Sequence, residues 1–246
     1  MTVTGESFPQ TRLSVLAAAR SKDGAERTRA LDLLFTAYWK PVYKYIRLKF
    51  SYSPQDAQDM TQGFFAELLE RGLLARFDPD KSRLRTYLRL CADSFVLNEM
   101  KAASRQKRGG EFVQVALDFS AAEDELRTQV IDPGSIPSSE SLEDFFEKEW
   151  IRSLFSSAVE DLRAICQQRD RQKVFQLFEA YDLSEEDVSY SELAANLSMP
   201  LTEVNNQLAW ARREFRRCAL QRLRDLCNSD EEFARETKTL FGVPTP

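Results

Sequence analysis

The chain of 246 residues contains no histidine. This absence excludes a Ser-His-Asp triad, a Cys-His nucleophile pair, an HExxH zinc site and an imidazole general base. Glycine and proline are also sparse, at 8 and 9 residues, which is about 7% of the chain against ~12% in average proteins. Because β-sandwiches and β-barrels need such residues in their turns, an all-β fold is disfavoured.

The four cysteines, Cys91, Cys166, Cys218 and Cys227, form no CxxC pair. Without histidines to complete a ligand set, they are expected to be buried, reduced thiols, and no metal or other cofactor is expected. No run approaches ~18 apolar residues, and the first residues lack the basic and apolar segments of a signal peptide. We therefore expect a cytoplasmic protein without a membrane span.

Motifs of common enzymes are missing as well. The sequence contains no Walker loop, no GxSxG and no dinucleotide fingerprint. Asp56 and Asp59 lie one turn apart at a predicted helix start, where the helix dipole favours acids without any catalytic role. We therefore expect no catalytic residues and a protein that is not an enzyme.

Apolar residues recur at helical spacing through most of the chain, which predicts an all-α fold. One helical pattern begins at Ala30, and Pro41 interrupts it, so a kink or a break is expected near Trp39 and Lys40. A second begins at Ser53, which with the following proline is typical of a helix start, and a third begins at Ser82. These three helices predict a first domain over 26–110.

The stretch after this domain is acidic and contains several turn-forming residues. Between 111 and 150 there are 11 acids and 2 bases, a net charge of −9. We expect residues 111–140 to form an acidic, flexible linker with little fixed structure. A second helical domain is expected over 141–228, with an extension at 1–25 and a tail at 229–246 that adds a short helix.

The clearest local pattern is a helix-turn-helix within the second domain. Ala194 is small enough for a close helix crossing, and Thr202 is a candidate cap for the second helix. Four apolar residues would hold the two helices together: Leu193, Leu197, Val204 and Leu208. An ordinary pair of antiparallel helices with an amphipathic second helix remains the alternative.

If the motif is real, the start of the second helix would enter a DNA major groove. The candidate base-reading residues, of which the amides are able to pair with adenine, are Thr202, Glu203, Asn205, Asn206 and Gln207. The candidate phosphate contacts follow as Arg212, Arg213 and Arg216. The alternative for these arginines is a solvated helix face.

A second basic segment lies at 81–108, where 8 bases oppose 2 acids. Basic residues interleaved with aromatic ones suit a nucleic-acid strand whose bases stack on side chains. The candidate contacts are Arg85, Tyr87, Arg89, Lys101, Arg105, Lys107 and Arg108. A core helix with a basic surface is the alternative.

Together these segments resemble a bacterial RNA polymerase sigma factor of the sigma-70 type, in the extracytoplasmic-function-like class. The family pattern D-A-x-D-x-x-Q-x-F-F is present as Asp56, Ala57, Asp59, Gln62, Phe64 and Phe65. A second match, from Glu147 to Glu179, leads directly into the helix-turn-helix. The resemblance covers roughly 30–108 and 142–227, in the family's order.

The resemblance implies two helical domains and a function without chemistry of its own. Asp56, Asp59, Gln62 and Phe65 would bind the clamp helices of the polymerase β′ subunit. Helix 82–108 would melt and read the minus-ten element of promoter DNA. Residues 202–217 would read the minus-thirty-five element, with a contact to the β flap. The implied partners are core RNA polymerase and promoter DNA, and an anti-sigma factor or other regulator is a further candidate.

The sequence also departs from the family pattern. Ser94, Asn98 and Met100 stand where relatives usually carry an Asn, an acid and often a Trp, and Ser198 replaces the usual glycine of the turn. The alternative function is therefore a degenerate sigma-like adaptor or helix-turn-helix regulator, which binds polymerase or a protein partner without melting DNA. This alternative gains if the first three residues lie on the DNA-facing side of their helix.

Overall fold

A computed structural model describes residues 15–103, 117–128, 141–184 and 188–242. All regular elements in these ranges are helical, as the sequence predicts. The α-helices are α1 Val15–Ala19, α2 Gly24–Lys49, α3 Pro54–Glu70, α4 Leu84–Ala103, α5 Phe119–Thr128, α6 Leu142–Gln168, α7 Gln172–Phe178, α8 Tyr190–Asn196, α9 Leu201–Leu226 and α10 Asp230–Phe241. A 3₁₀ turn, Leu73–Arg76, follows α3, and a π-helical turn, Glu179–Leu183, follows α7. No helix in the described part of the chain is long and apolar enough to cross a membrane.

Serine side chains cap several of these helices. Ser53 accepts a hydrogen bond from the backbone N–H of Asp56 at the start of α3, as predicted. Ser141 and Ser189 form capping boxes at the starts of α6 and α8. Each cap satisfies backbone donors that a helix leaves unpaired in its first turn, which fixes where the helix begins.

Helix α2 runs without a break through Trp39, Lys40 and Pro41, where the sequence predicts a kink or a break. A proline inside a helix costs about 3 kcal/mol or more, because it removes a hydrogen bond and clashes with the preceding turn. All residues from Pro41 to Leu48 are buried, and Val42, Tyr45 and Ile46 are fully so. Burial of this turn offsets the local cost and keeps the helix continuous.

The two predicted domains share one hydrophobic core. Helix α2 packs along the first half of α6, where Tyr38 stacks on Trp150 at 6.4 Å and Tyr45 meets Phe146 edge-on at 5.5 Å between ring centroids. Residues of α9 close the same cluster through Leu223. In this conformation, the first half of α6, which begins the second predicted domain, packs into the same core as the first predicted domain.

A buried ion pair lies in this shared core. The Nζ atom of Lys44 in α2 is 2.6 Å from a carboxylate oxygen of Glu149 in α6, and each side chain is only 1% exposed. The same Nζ is 2.8 Å from Glu125 of α5. Because the buried Lys44 charge is paired by carboxylates from two other helices, this triad links α2, α5 and α6.

Helix α5 corrects the expectation of little fixed structure in the linker. Phe119, Ala122 and Leu126 are buried on one side of it, and the ring of Phe119 lies 5.1 Å from that of Tyr43. On the same face of α5, one turn after Phe119, Glu123 accepts a hydrogen bond from the Tyr43 hydroxyl at 2.9 Å. The i, i+3, i+7 spacing of the apolar residues was a helical signal that the excess of acids concealed. Residues 111–116 and 129–140 lie outside the described residues.

The ends of the described chain also join the core. In α1, Val15 and Leu16 are buried against it, so part of the expected extension at 1–25 is structured. Helix α10 forms where the tail was predicted to add a short helix, and Glu236 of this helix is buried.

Candidate nucleic-acid interface

Helices α8 and α9 are joined by a short turn, residues 197–200, and pack against each other. Within this turn Ser198 is in the left-handed conformation, at φ 50°. The N–H groups of Ser198 and Met199 donate to the carbonyls of Ala195 and Ala194, at 3.2 and 2.9 Å. This is a Schellman motif, which ends a helix and reverses the chain, and glycine is the residue that usually occupies its left-handed position.

The residues predicted to hold the pair together do so. Leu193, Val204 and Leu208 are buried with Leu177 of α7 in one cluster, and Leu197 packs against it. Ala194 is half-buried in the same cluster. The arrangement leaves the opposite side of α9 without a protein partner among these helices.

That outer side of α9 carries most of the predicted base-reading residues. Thr202, Glu203, Asn205 and Asn206 are all exposed. Thr202 is not the cap, because α9 begins one residue earlier at Leu201 and the extended backbone of Pro200 precedes it. At 100° per residue, Asn206 and Arg213 lie almost opposite the buried Val204 and Leu208.

Two of the other predicted contacts make internal bonds. The carbonyl oxygen of Gln207 accepts a hydrogen bond from Arg171. Arg212 donates to both carboxylate oxygens of Asp182, at 2.9–3.1 Å, and to the hydroxyl of Tyr190 at 3.3 Å. The Asp182 hydrogen bonds raise the pKa of Arg212 above its ordinary value, so this charge is already neutralised within the protein. Arg213 and Arg216 are exposed.

The predicted minus-ten residues do not share one accessible side of α4. Arg85 is only 5% exposed and pairs with Glu147 of α6 and, at 3.0 Å, with Glu236 of α10. Its guanidinium lies 4.5 Å from the ring centre of Trp150. Burial alone would lower the pKa of Arg85, but its bonds to Glu147 and the charge of Glu236 raise it. Arg85 therefore contributes to the core of this conformation.

Two neighbouring residues in the same set are also engaged. Arg89 lies 3.2 Å from a carboxylate oxygen of Glu143 in α6. The hydroxyl of Tyr87 donates to the carbonyl of Leu73 at 2.8 Å. Lys101 is exposed at the end of α4. Arg105, Lys107 and Arg108 lie outside the described residues.

The exposed side of α4 is apolar and neutral over much of its length. Leu90, Leu97 and Met100 are 50%, 47% and 49% exposed. Ser94 and Asn98 lie exposed among them. The three departures from the family pattern are therefore on the accessible side of the helix, whereas its arginines face α6 and α10.

The residues expected to bind polymerase are split between two sides of α3. Asp56 and Asp59 are exposed and Gln62 is half-buried next to them. Phe65 is buried, with its ring 4.9 Å from that of Phe35, because nine residues of helix place it opposite Asp56. The three polar residues form one surface, and Phe65 supports that surface from within.

One feature beside α9 was missed from the sequence. Arg169 and Arg171 lie in the turn between α6 and α7, and their guanidinium carbons are 5.9 and 3.8 Å from the ring centre of Trp210. The only sequence signal was a basic run between two helices, at 169–173. Its position against α9 depends on tertiary structure.

Comparisons with models of protein families, with curated proteins and with solved structures found no match to this chain.

Proposed function

We propose that this chain is a sigma factor, which binds core RNA polymerase and promoter DNA and directs where transcription begins. The observation that carries the proposal is the helix-turn-helix, whose second helix presents polar side chains in its first turns and arginines farther along. This order matches what a groove-reading helix needs, because base edges meet its start and phosphates flank its later turns.

The chemistry of the exposed residues supports this use of α9. Asn206 has both a donor and an acceptor on its amide, and it makes no hydrogen bond among the described residues that would occupy them. An amide of this kind pairs with two atoms of adenine in the major groove. Arg213 lies two turns later on the same side, where a guanidinium reaches backbone phosphate.

Contact of α4 with the minus-ten element would need a different conformation. Arg85 is sequestered by Glu147 and Glu236, and Arg89 by Glu143, so these arginines become available to DNA only when α6 and α10 separate from α4. The proposal thus includes a closed free form and an open form bound to polymerase or DNA.

Asn206→Ala and Arg213→Ala test the proposal, because the first should affect base discrimination and the second should affect affinity for every sequence. DNA duplexes selected by the chain in complex with core polymerase, and their single-base variants, would be titrated at several salt concentrations. Asn206→Ala should lose discrimination at one or two base positions, by ~1–3 kcal/mol for a two-point contact. Arg213→Ala should weaken all sequences alike and reduce the salt slope by about one. If Arg213→Ala changed base preference and Asn206→Ala did not, the proposed orientation of α9, with Asn206 at the bases and Arg213 at a phosphate, would be refuted.

A sigma-like adaptor that binds polymerase without melting DNA is the second candidate. The exposed side of α4 favours it, because Leu90, Leu97 and Met100 replace a basic, strand-binding surface there. Polymerase binding in a pull-down titration, with no opened promoter detected by permanganate reactivity, would select this function over the first.

A further inference from the structure

We propose that Arg169 and Arg171 form a phosphate-binding surface beside α9, which holds the DNA backbone along one flank of the helix-turn-helix. The proposal rests on the proposed DNA binding, and it adds residues outside both basic segments that the sequence indicated. The ligand is the backbone phosphate diester, so the contact does not depend on base sequence.

The backbone fixes where these two arginines project. Helix α6 ends in a Schellman motif in which Asp170 is left-handed, at φ 54°. The N–H of Arg171 donates to the carbonyl of Cys166 at 2.7 Å, and that of Asp170 donates to Gln167 at 3.2 Å. This tight turn directs both arginines towards α9 rather than leaving them on a long loop.

Side-chain contacts then hold the Arg171 guanidinium in place. Its central carbon lies over the Trp210 ring, 3.8 Å from the ring centre, and it donates one hydrogen bond to Gln207. A guanidinium has five N–H donors, so most of them remain available at its edge after these contacts. A stacked and ordered arginine binds a phosphate with less loss of side-chain freedom than a mobile one.

Gln207 has a different role from the predicted one. Arginine has no acceptor, so the Gln207 atom facing Arg171 is the carbonyl oxygen. This bond uses one of the two lone pairs of that oxygen and turns the amide towards Arg171, which disfavours two-point pairing of Gln207 with adenine. Gln207 is a positioning residue for Arg171, which explains why it is only half-exposed.

The two flanks of α9 differ in their available charge. On one flank, Asp182 neutralises Arg212 by two hydrogen-bonded oxygens. On the other, the contacts that the described residues make with Arg169 and Arg171 are to Trp210 and Gln207, neither of which is an acid. Asp170 lies between the two arginines in sequence but forms no ion pair with either among the described residues. We therefore expect the DNA backbone to follow the flank that contains Trp210.

The test uses the full chain and a random-sequence DNA duplex as the probe. Arg169→Gln and Arg171→Gln should each lower affinity and reduce the slope of log K against log salt by about one, as for the loss of one phosphate contact. Arg171→Lys keeps the charge but not the planar stack, and it should retain the slope with reduced affinity. Arg163→Gln is the matched control, because Arg163 stacks on Phe175 and pairs with Glu179, and it should change neither quantity.

The outcomes separate this inference from the proposed function. Wild-type slope and affinity in both Arg169→Gln and Arg171→Gln would overturn the phosphate surface, even if α9 selects a base sequence. Exposed Arg169 keeps the test valid if Arg171→Gln fails to fold. Loss of slope in these variants, together with no sequence preference in the wild type, would support the surface and refute promoter recognition.

Discussion

The buried pair between Lys44 and Glu149 allows a quantitative prediction for Glu149→Gln. Removing one partner of a buried ion pair costs ~3–5 kcal/mol, because the remaining charge stays buried without compensation. Lys44 would keep Glu125 at 2.8 Å, so we expect the lower end, ~3 kcal/mol. In a chain of this size each kcal/mol lowers the melting temperature by roughly 2–4 °C, which gives a decrease of roughly 6–12 °C.

Thermal unfolding followed by circular dichroism and calorimetry measures this decrease. The wild type should unfold in one transition, since α2 and α6 share a core, and the variant should unfold in one transition at lower temperature. Glu160→Gln, in the same helix but with a side chain 65% exposed, is the control and should change stability by no more than ~0.5 kcal/mol. An unchanged melting temperature in Glu149→Gln, or two separate wild-type transitions, would refute the shared core.

Two further predictions concern the turn and the covered arginines. Ser198→Gly should stabilise the chain by up to about 1 kcal/mol, since glycine adopts the left-handed conformation without steric cost, and a lower midpoint in urea would contradict the Schellman geometry. Glu147→Gln should raise affinity for DNA at low salt, because it removes one of the two carboxylates that hold Arg85 in the closed form and so makes opening easier, and the gain should fade as salt rises. Glu231→Gln makes the same charge change at an exposed site, so an equal gain there would show that net charge alone is responsible.

Local patterns were sufficient to predict that α8 and α9 pack together, and to predict several helix boundaries. Leu193, Val204 and Leu208 are apolar at the positions that a packed helix pair would bury, and the structure buries them together with Leu177 of α7. Ser53 caps the start of α3, because its side chain accepts a hydrogen bond from the Asp56 N–H and Pro54 has no N–H that would be left unpaired. Apolar spacing and helix caps depend on residues that are close in sequence, so the sequence alone is sufficient to predict them.

Contacts between distant segments could not be predicted in the same way. Arg85 belongs to a basic segment by composition, but its burial depends on Glu147 and Glu236, which lie 62 and 151 residues away. In the same way, no local sequence pattern predicts that the Arg171 guanidinium lies over the Trp210 ring. Charge pairing across the fold decides which basic residues are available to a ligand, and composition does not record it.

The most direct test of the central proposal is transcription by core RNA polymerase on a genomic DNA library, with and without this chain. Mapping the RNA 5′ ends should reveal start sites that appear only when the chain is added and share sequence elements upstream. Those starts should decline in Arg213→Ala, because that guanidinium contacts phosphate in the proposed complex. The same start sites with and without the chain, under conditions where it binds the polymerase, would contradict a sigma factor.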